Sequence, residues 1–279
     1  METETVKVDE ALFEVLVAFA EAAAAVKAPW LMIGATARII LLEKVYNWPQ
    51  GLATNDIDFG VQIGSWDHYQ RLCEFIIKND IFETERTPVK RFRTKRDMVF
   101  DLVPYGGVED DKKQVFWPPD NDDVMTVRGF DGAANNAVNV IVNESLTVPI
   151  VSPVGLCALK LFAWDERHAQ HPDRDAQDIA YLFNNIESLY SSDTLFNDYL
   201  EAVEIADFQI QSAGYYQLGC DVKNLLSKED HRFLSHMLSE EIDKNVDSEL
   251  CRGLHRYTNM RSIDDTYKAL DYFYKGTCQ

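Results

Sequence analysis

Two aspartates stand two residues apart in Thr54-Asn55-Asp56-Ile57-Asp58-Phe59. The run from Ile57 to Ile63 is apolar at every second position, which predicts a strand. Residues two apart on a strand face the same way, so Asp56 and Asp58 present their carboxylates side by side. Like charges that close repel unless a cation lies between them. Carboxylate oxygens with open positions suit Mg²⁺, which keeps waters and takes the rest of its shell from substrate phosphates. The same spacing also fits a strand leaving a turn. A third acid adds weight: Met98-Val99-Phe100-Asp101-Leu102-Val103 is an apolar strand with Asp101 at its centre, and Asp is depleted in strands. Set beside the first strand, Asp101 would complete a three-carboxylate cluster able to hold two ions. Such a pair activates an attacking hydroxyl and steadies a leaving pyrophosphate. The plainer reading of Asp101 is an acid at a sheet edge facing water.

The elements that must position these acids are readable from periodicity. Leu12, Phe13, Leu16, Phe19 and Ala20 recur at helical spacing and predict a helix over 9–28, ended by Pro29. Trp30 to Ile33 is a short buried strand closed by Gly34. A helix is expected over about 35–46, a turn from Asn47 to Asn55, and a helix over 66–79. Strand-like runs follow near 89–94, 97–104, 124–128 and 137–150. From Pro153 helical patterns dominate, at about 153–169, 173–186, 194–203, 208–226, 229–243 and 262–274. Mixed elements first and helices afterwards predict an α+β protein, with a mixed-sheet domain over 1–150 and a helical domain over 151–279.

Composition bounds the chemistry. The 279 residues carry 27 Lys plus Arg against 46 Asp plus Glu, a formal charge of −19. A protein that coats nucleic acid through non-specific phosphate contacts is excluded by that field, so any nucleic-acid site must be a local patch. Five cysteines, an odd number without a CxxC pair, argue against a disulfide framework and a cysteine zinc site. The acidic start METETVKVDE is unlike a signal peptide. The most apolar early stretch, Val15 to Ala25, is broken by Glu21 and falls short of the roughly 20 residues that span a bilayer. A soluble cytoplasmic protein with no membrane partner is expected.

Gly34-Ala35-Thr36-Ala37, then Thr54-Asn55-Asp56-Ile57-Asp58, then Phe100-Asp101-Leu102 resembles the DNA polymerase β-like nucleotidyltransferases. Their pattern is a Gly-Gly or Gly-Ser opening a helix, a strand bearing DxD, and a third Asp on a following strand. The resemblance implies that Gly34, Ala35 and Thr36 cradle the triphosphate of an NTP at a helix N-terminus. It also implies that Asp56, Asp58 and Asp101 hold Mg²⁺, or Mn²⁺ in its place. Ala35 departs from the pattern, where Gly or Ser is usual. The hydroxyl contact to phosphate is lost there unless Thr36 supplies it.

In the second domain, Leu159-Lys160-Leu161-Phe162-Ala163-Trp164-Asp165-Glu166-Arg167 is followed by Arg174-Asp175-Ala176-Gln177-Asp178-Ile179-Ala180. This is similar to the K…R…RDxxDI signature of the AbiEii/AbiGii-like toxin nucleotidyltransferases, which include the MenT-like tRNA-modifying toxins. Lys160, Trp164 and Arg167 lie on one helix face, and Arg174 and Asp178 are an i,i+4 pair. By the resemblance Lys160 is catalytic and contacts the triphosphate, together with Arg167 and Arg174. Asp175 and Asp178 belong by the resemblance to the same nucleotide-binding set and support that face by orienting Lys160 or Arg167, and the helical domain completes the cleft. Two charged helices tied by surface ion pairs explain the same residues more simply. The resemblance covers residues 30–182. It implies NMP transfer from an NTP to the 3′ end of tRNA, and so a toxin of a toxin–antitoxin or phage-defence system, with an antitoxin partner.

Six basic residues crowd one stretch: Arg86, Lys90, Arg91, Arg93, Lys95 and Arg96. They read equally as a ramp for an RNA backbone or the triphosphate, close to Asp101, and as cations guarding an exposed edge strand. The charge of −19 favours a different acceptor, a small polycationic molecule such as an aminoglycoside. A catalytically silent nucleotide-binding module is the third reading.

Overall fold

The computed structural model describes residues 5–54, 56–79, 82–84, 90–96, 98–118 and 121–279. The chain divides into two units, Met1–Ser152 and Pro153–Gln279. The fold is α+β, a mixed sheet in the first unit and helices in the second.

The first unit opens with β1 (Thr5–Val6) and α1 (Glu10–Val26). The Asp9 side chain caps α1 by accepting from the Leu12 N–H at 2.9 Å, and Lys27 ends it in the left-handed region, φ 57°. Then come β2 (Trp30–Ile33), α2 (Gly34–Arg38) and a π-helical continuation over Ile39–Val45. These lead to β3 (Asp56–Gln62), α3 (Trp66–Ile77), β4 (Phe82–Thr84), β5 (Arg91–Thr94) and β6 (Val99–Tyr105). A small two-stranded sheet, β7 (Gln114–Phe116) with β8 (Val124–Thr126), precedes α4 (Phe130–Asn135), β9 (Val138–Val142) and β10 (Leu146–Ile150). The expected strand over 137–150 is thus a hairpin, turned by Asn143 and Glu144, both at positive φ. The helix expected over 35–46 is π-helical in its second part.

The main sheet runs β1-β9-β10-β2-β3-β6-β5-β4. Strands β3 and β6 are parallel neighbours, with Asp58 opposite Asp101, while β2 and β5 flank them antiparallel. Alternation along β3 and β6 sends Ile57, Phe59, Phe100 and Leu102 to one face. There Phe19 of α1 stacks on Phe59 at 4.0 Å, and Phe92 of β5 stacks on Phe100 at 4.7 Å. All four rings are fully buried. Asp56, Asp58 and Asp101 therefore point to the opposite face. Farther along that face Phe130 of α4 packs on Tyr105, ring centroids 5.4 Å apart, and lies over Gly60.

The second unit is helical: α5 (Pro153–Arg167), α6 (Arg174–Asn184), α7 (Ile186–Leu189), α8 (Ser192–Asp198), α9 (Leu200–Ile205), α10 (Ile210–Leu225), α11 (Lys228–Asp243), α12 (Glu249–His255) and α13 (Ile263–Thr277). Helices α10 and α13 meet backbone to backbone. A Cβ on Gly219 would strike the Phe273 carbonyl, and one on Gly276 the Tyr216 carbonyl. Tyr215 and Tyr216 are buried in the packing. Among the described residues no helix is long and apolar enough to cross a membrane.

The ring cluster is what fixes β3, β5 and β6 to α1. Phe100→Ala should lower the unfolding free energy by about 3–5 kcal/mol, measured by urea titration. A loss under about 1 kcal/mol would show that the cluster does not hold the sheet.

Candidate active site

Two strand registers, across three strands, assemble the acidic face. Ile33, the last residue of β2, lies opposite Asp58, which in turn lies opposite Asp101. Chain direction then changes at Gly34, whose φ of +74° favours glycine. A Cβ there would collide with the Asp58 carboxylate, its Cγ only 2.9 Å away. Glycine is required twice over, for the turn and for the approach of backbone to acid.

Thr36 follows on α2. Its hydroxyl donates to the Asp56 carbonyl at 2.7 Å and is buried. It clamps α2 to the start of the DxD strand, so the hydroxyl expected to replace one lost at Ala35 is committed elsewhere. Ala35 is half-buried, and the N-cap residue of α2, Ile33, supplies no side-chain cap. The loop from the helix to β3 is held from below. Arg38, buried, pairs with Glu43 and donates to the Leu52 carbonyl. Glu43 also accepts from the Gly51 N–H at 3.1 Å. The Asp56 N–H donates to Thr54 Oγ1 at 3.1 Å. Asn55 lies outside the described residues.

Asp101 has a partner that sequence reasoning did not assign. Arg91 of β5 is opposite Asp101 in register. Its Nε donates to Oδ1 at 2.8 Å and its Nη2 to Oδ2 at 2.7 Å. The guanidinium side chain is 49% exposed and the carboxylate 18%, so this is a forked ion pair at the mouth of the face. The Asp101 hydrogen bonds hold the Arg91 pKa above its ordinary value, and the charges of Asp101, Asp56 and Asp58 reinforce this. All three acids thus act on one guanidinium.

Among the described residues no group of three or more His, Cys, Asp or Glu side chains is gathered so as to hold a metal ion. The expected three-carboxylate cluster is altered by Arg91, which takes both oxygens of Asp101. Asp56 and Asp58 remain a donor pair whose chemistry fits a hard divalent cation that retains water.

The basic stretch is largely spent on acids. Lys90 pairs with Asp123 at 2.6 Å and lies over the Trp117 ring at 5.5 Å. Arg96 reaches Glu10 and Glu14 of α1 at 3.6 and 3.4 Å. Lys95 is exposed and Arg93 half-buried. Arg86 lies outside the described residues.

In the second unit, α5 and α6 are joined by a buried charge network. Asp175 is fully buried and accepts both prongs of Arg167, Nε to Oδ2 and Nη2 to Oδ1, each at 2.6 Å. Lys160 Nζ stands 3.3 Å from Asp175 and 2.5 Å from Asp178. Burial alone would lower the Lys160 pKa, but Asp178 and Asp175 override it and raise it. Burial would likewise raise Asp175, yet Arg167 and Lys160 hold it below the usual carboxylate range. Arg174 is exposed at the start of α6. Trp164 is buried and stacks on His168 at 4.2 Å.

No protein-family model and no curated protein matches the chain.

The network makes stability depend on pH. A depressed Asp175 contributes stability above its unfolded pKa, about 4, and loses it as pH falls through the folded value. A raised Lys160 contributes below about pH 10 and loses that as pH climbs through its folded value. Asp175→Asn should therefore cost about 3 kcal/mol at neutral pH, because it removes the carboxylate from the largely buried Arg167 and one of the two from Lys160. The wild-type advantage should shrink below about pH 4. Urea unfolding of both proteins across pH checks this, and a difference that stays flat into acid would contradict it.

Proposed function

We propose that the chain is a metal-dependent nucleotidyltransferase that moves NMP from an NTP to an acceptor hydroxyl. The observation that carries the reading is the alignment of Gly34, Asp58 and Asp101 across three neighbouring strand ends. It brings a close-approach glycine and three acids to one partly open face. In the reaction the hydroxyl attacks the α-phosphate and pyrophosphate departs.

Each residue has a role that its position supports. Asp56 and Asp58 would hold Mg²⁺, or Mn²⁺ in its place. A bound ion of that kind supplies positive charge to the triphosphate oxygens and lowers the pKa of a nearby hydroxyl. Asp101, released from Arg91, would complete the acidic set and accept the acceptor's proton. Gly34 and Ala35 leave the backbone open to phosphate, because neither carries a bulky side chain. Thr36 fixes the helix start against Asp56 rather than touching phosphate. Lys160 and Arg167, assigned to the triphosphate by resemblance, find their charges already balanced by Asp175 and Asp178. Their observed geometry supports a positioning part within the helical unit.

The acceptor implied by resemblance is the 3′ end of tRNA, which would make the protein a toxin. A specific observation favours the second reading, a small hydroxylated acceptor. Lys90, Arg91 and Arg96 are already paired with acids, which leaves fewer cations for a polynucleotide backbone.

The test is incubation with each α-³²P-labelled NTP and Mg²⁺, with total tRNA in one arm and an aminoglycoside mixture in the other. Label should move to one acceptor class. Asp58→Asn should reduce the rate by more than about 100-fold, since even residues outside the ligand set cost 10–100-fold. Label transfer that survives Asp58→Asn undiminished would refute the assignment.

A further inference from the structure

Arg91 and Asp101 form a contact that can be exchanged. The pair is forked, with two hydrogen bonds of 2.8 and 2.7 Å, yet the guanidinium is half exposed. It sits on β5, one strand beyond the acids, and faces the same side as Asp56, Asp58 and Asp101. A guanidinium fork matches a phosphate as well as it matches a carboxylate. A planar cation already within the field of three acids meets any triphosphate brought to them. It also occupies both oxygens that Asp101 would offer to a cation.

We propose that Arg91 is a resident counter-ion that Asp101 surrenders on nucleotide binding, when the guanidinium passes from the carboxylate to a triphosphate oxygen. The proposal rests on the nucleotidyl-transfer reading and deepens it. In the nucleotide-free protein Arg91 neutralises the acidic face and competes with divalent cations for Asp101. In the loaded protein the same charge binds substrate, so cation and triphosphate assemble the site together rather than one after the other. Arg91 is thus a phosphate-binding residue when loaded and a lock on Asp101 when empty.

The experiment uses the full chain and Mn²⁺ alone, counted by electron paramagnetic resonance, followed by inorganic tripolyphosphate in the presence of Mn²⁺. Circular dichroism confirms folding of each variant. Arg91→Gln should tighten Mn²⁺ by about tenfold and weaken tripolyphosphate by a similar factor, the scale of groups that tune a metal site from outside it. Arg91→Lys should restore part of the tripolyphosphate affinity. In an Asp101→Asn background, Arg91→Gln should no longer change Mn²⁺ affinity, whereas a mere loss of nearby positive charge would act equally in both backgrounds. Unchanged or weaker Mn²⁺ binding in Arg91→Gln, or an effect that persists with Asp101→Asn, overturns the exchange. If wild-type protein still transfers label, that failure belongs to the exchange alone. If neither protein binds Mn²⁺ and no label moves, the nucleotidyl-transfer reading falls with it.

Discussion

The site depends on strand register. Asp58 lies opposite Ile33 on one side and Asp101 on the other, and Asp101 lies opposite Arg91. A slip of one residue would turn each acid into the aromatic core and bring Phe59 or Phe100 out to water. The rings forbid that. Phe19, Phe59, Phe92 and Phe100 are fully buried and stacked in pairs. The burial of large rings on one face thus fixes which side chains stand on the other.

Charge management follows the same economy in both units, each considered by itself. A protein of −19 has many acids and few bases to set against them. In the first unit Arg91 is placed on Asp101, and Arg38 on Glu43 beneath the loop that leads to β3. In the second, Lys160 and Arg167 enclose a fully buried Asp175. The pairs differ in kind. The Asp175 network is desolvated, so breaking it strands a charge and costs stability. The Arg91 side chain is half exposed, so this pair parts at a smaller cost. The first is a fixed joint, and the second is the more easily exchanged contact.

Much of this could be read from the sequence, because the signals are local. Alternation marked β3, helical spacing marked α1, and a lone acid in an apolar run marked Asp101. What escaped was long-range. β1 is two residues that pair with β9, far along the chain, and β4 and β7 are too short to show a period. Nothing within Ile39–Val45 marks its change to π geometry. The Arg91–Asp101 pair was hidden for a subtler reason. Both residue types were visible, but which strand positions face each other depends on the turn between β5 and β6. A change of one residue there would exchange Arg91 for Phe92 on the acidic face. The commitment of the Thr36 hydroxyl to Asp56 was likewise invisible, since only the fold brings α2 against β3.

On the proposed reading this face binds a divalent cation and a triphosphate, with Arg91 changing partner. Crystals grown with Mn²⁺ and a non-hydrolysable NTP test it directly, read at the manganese absorption edge. The expected result is an anomalous peak at the carboxylates of Asp56 and Asp58, with the Arg91 guanidinium on a phosphate oxygen and Asp101 free of it. Manganese and nucleotide bound elsewhere, with Arg91 still forked onto Asp101, would contradict it.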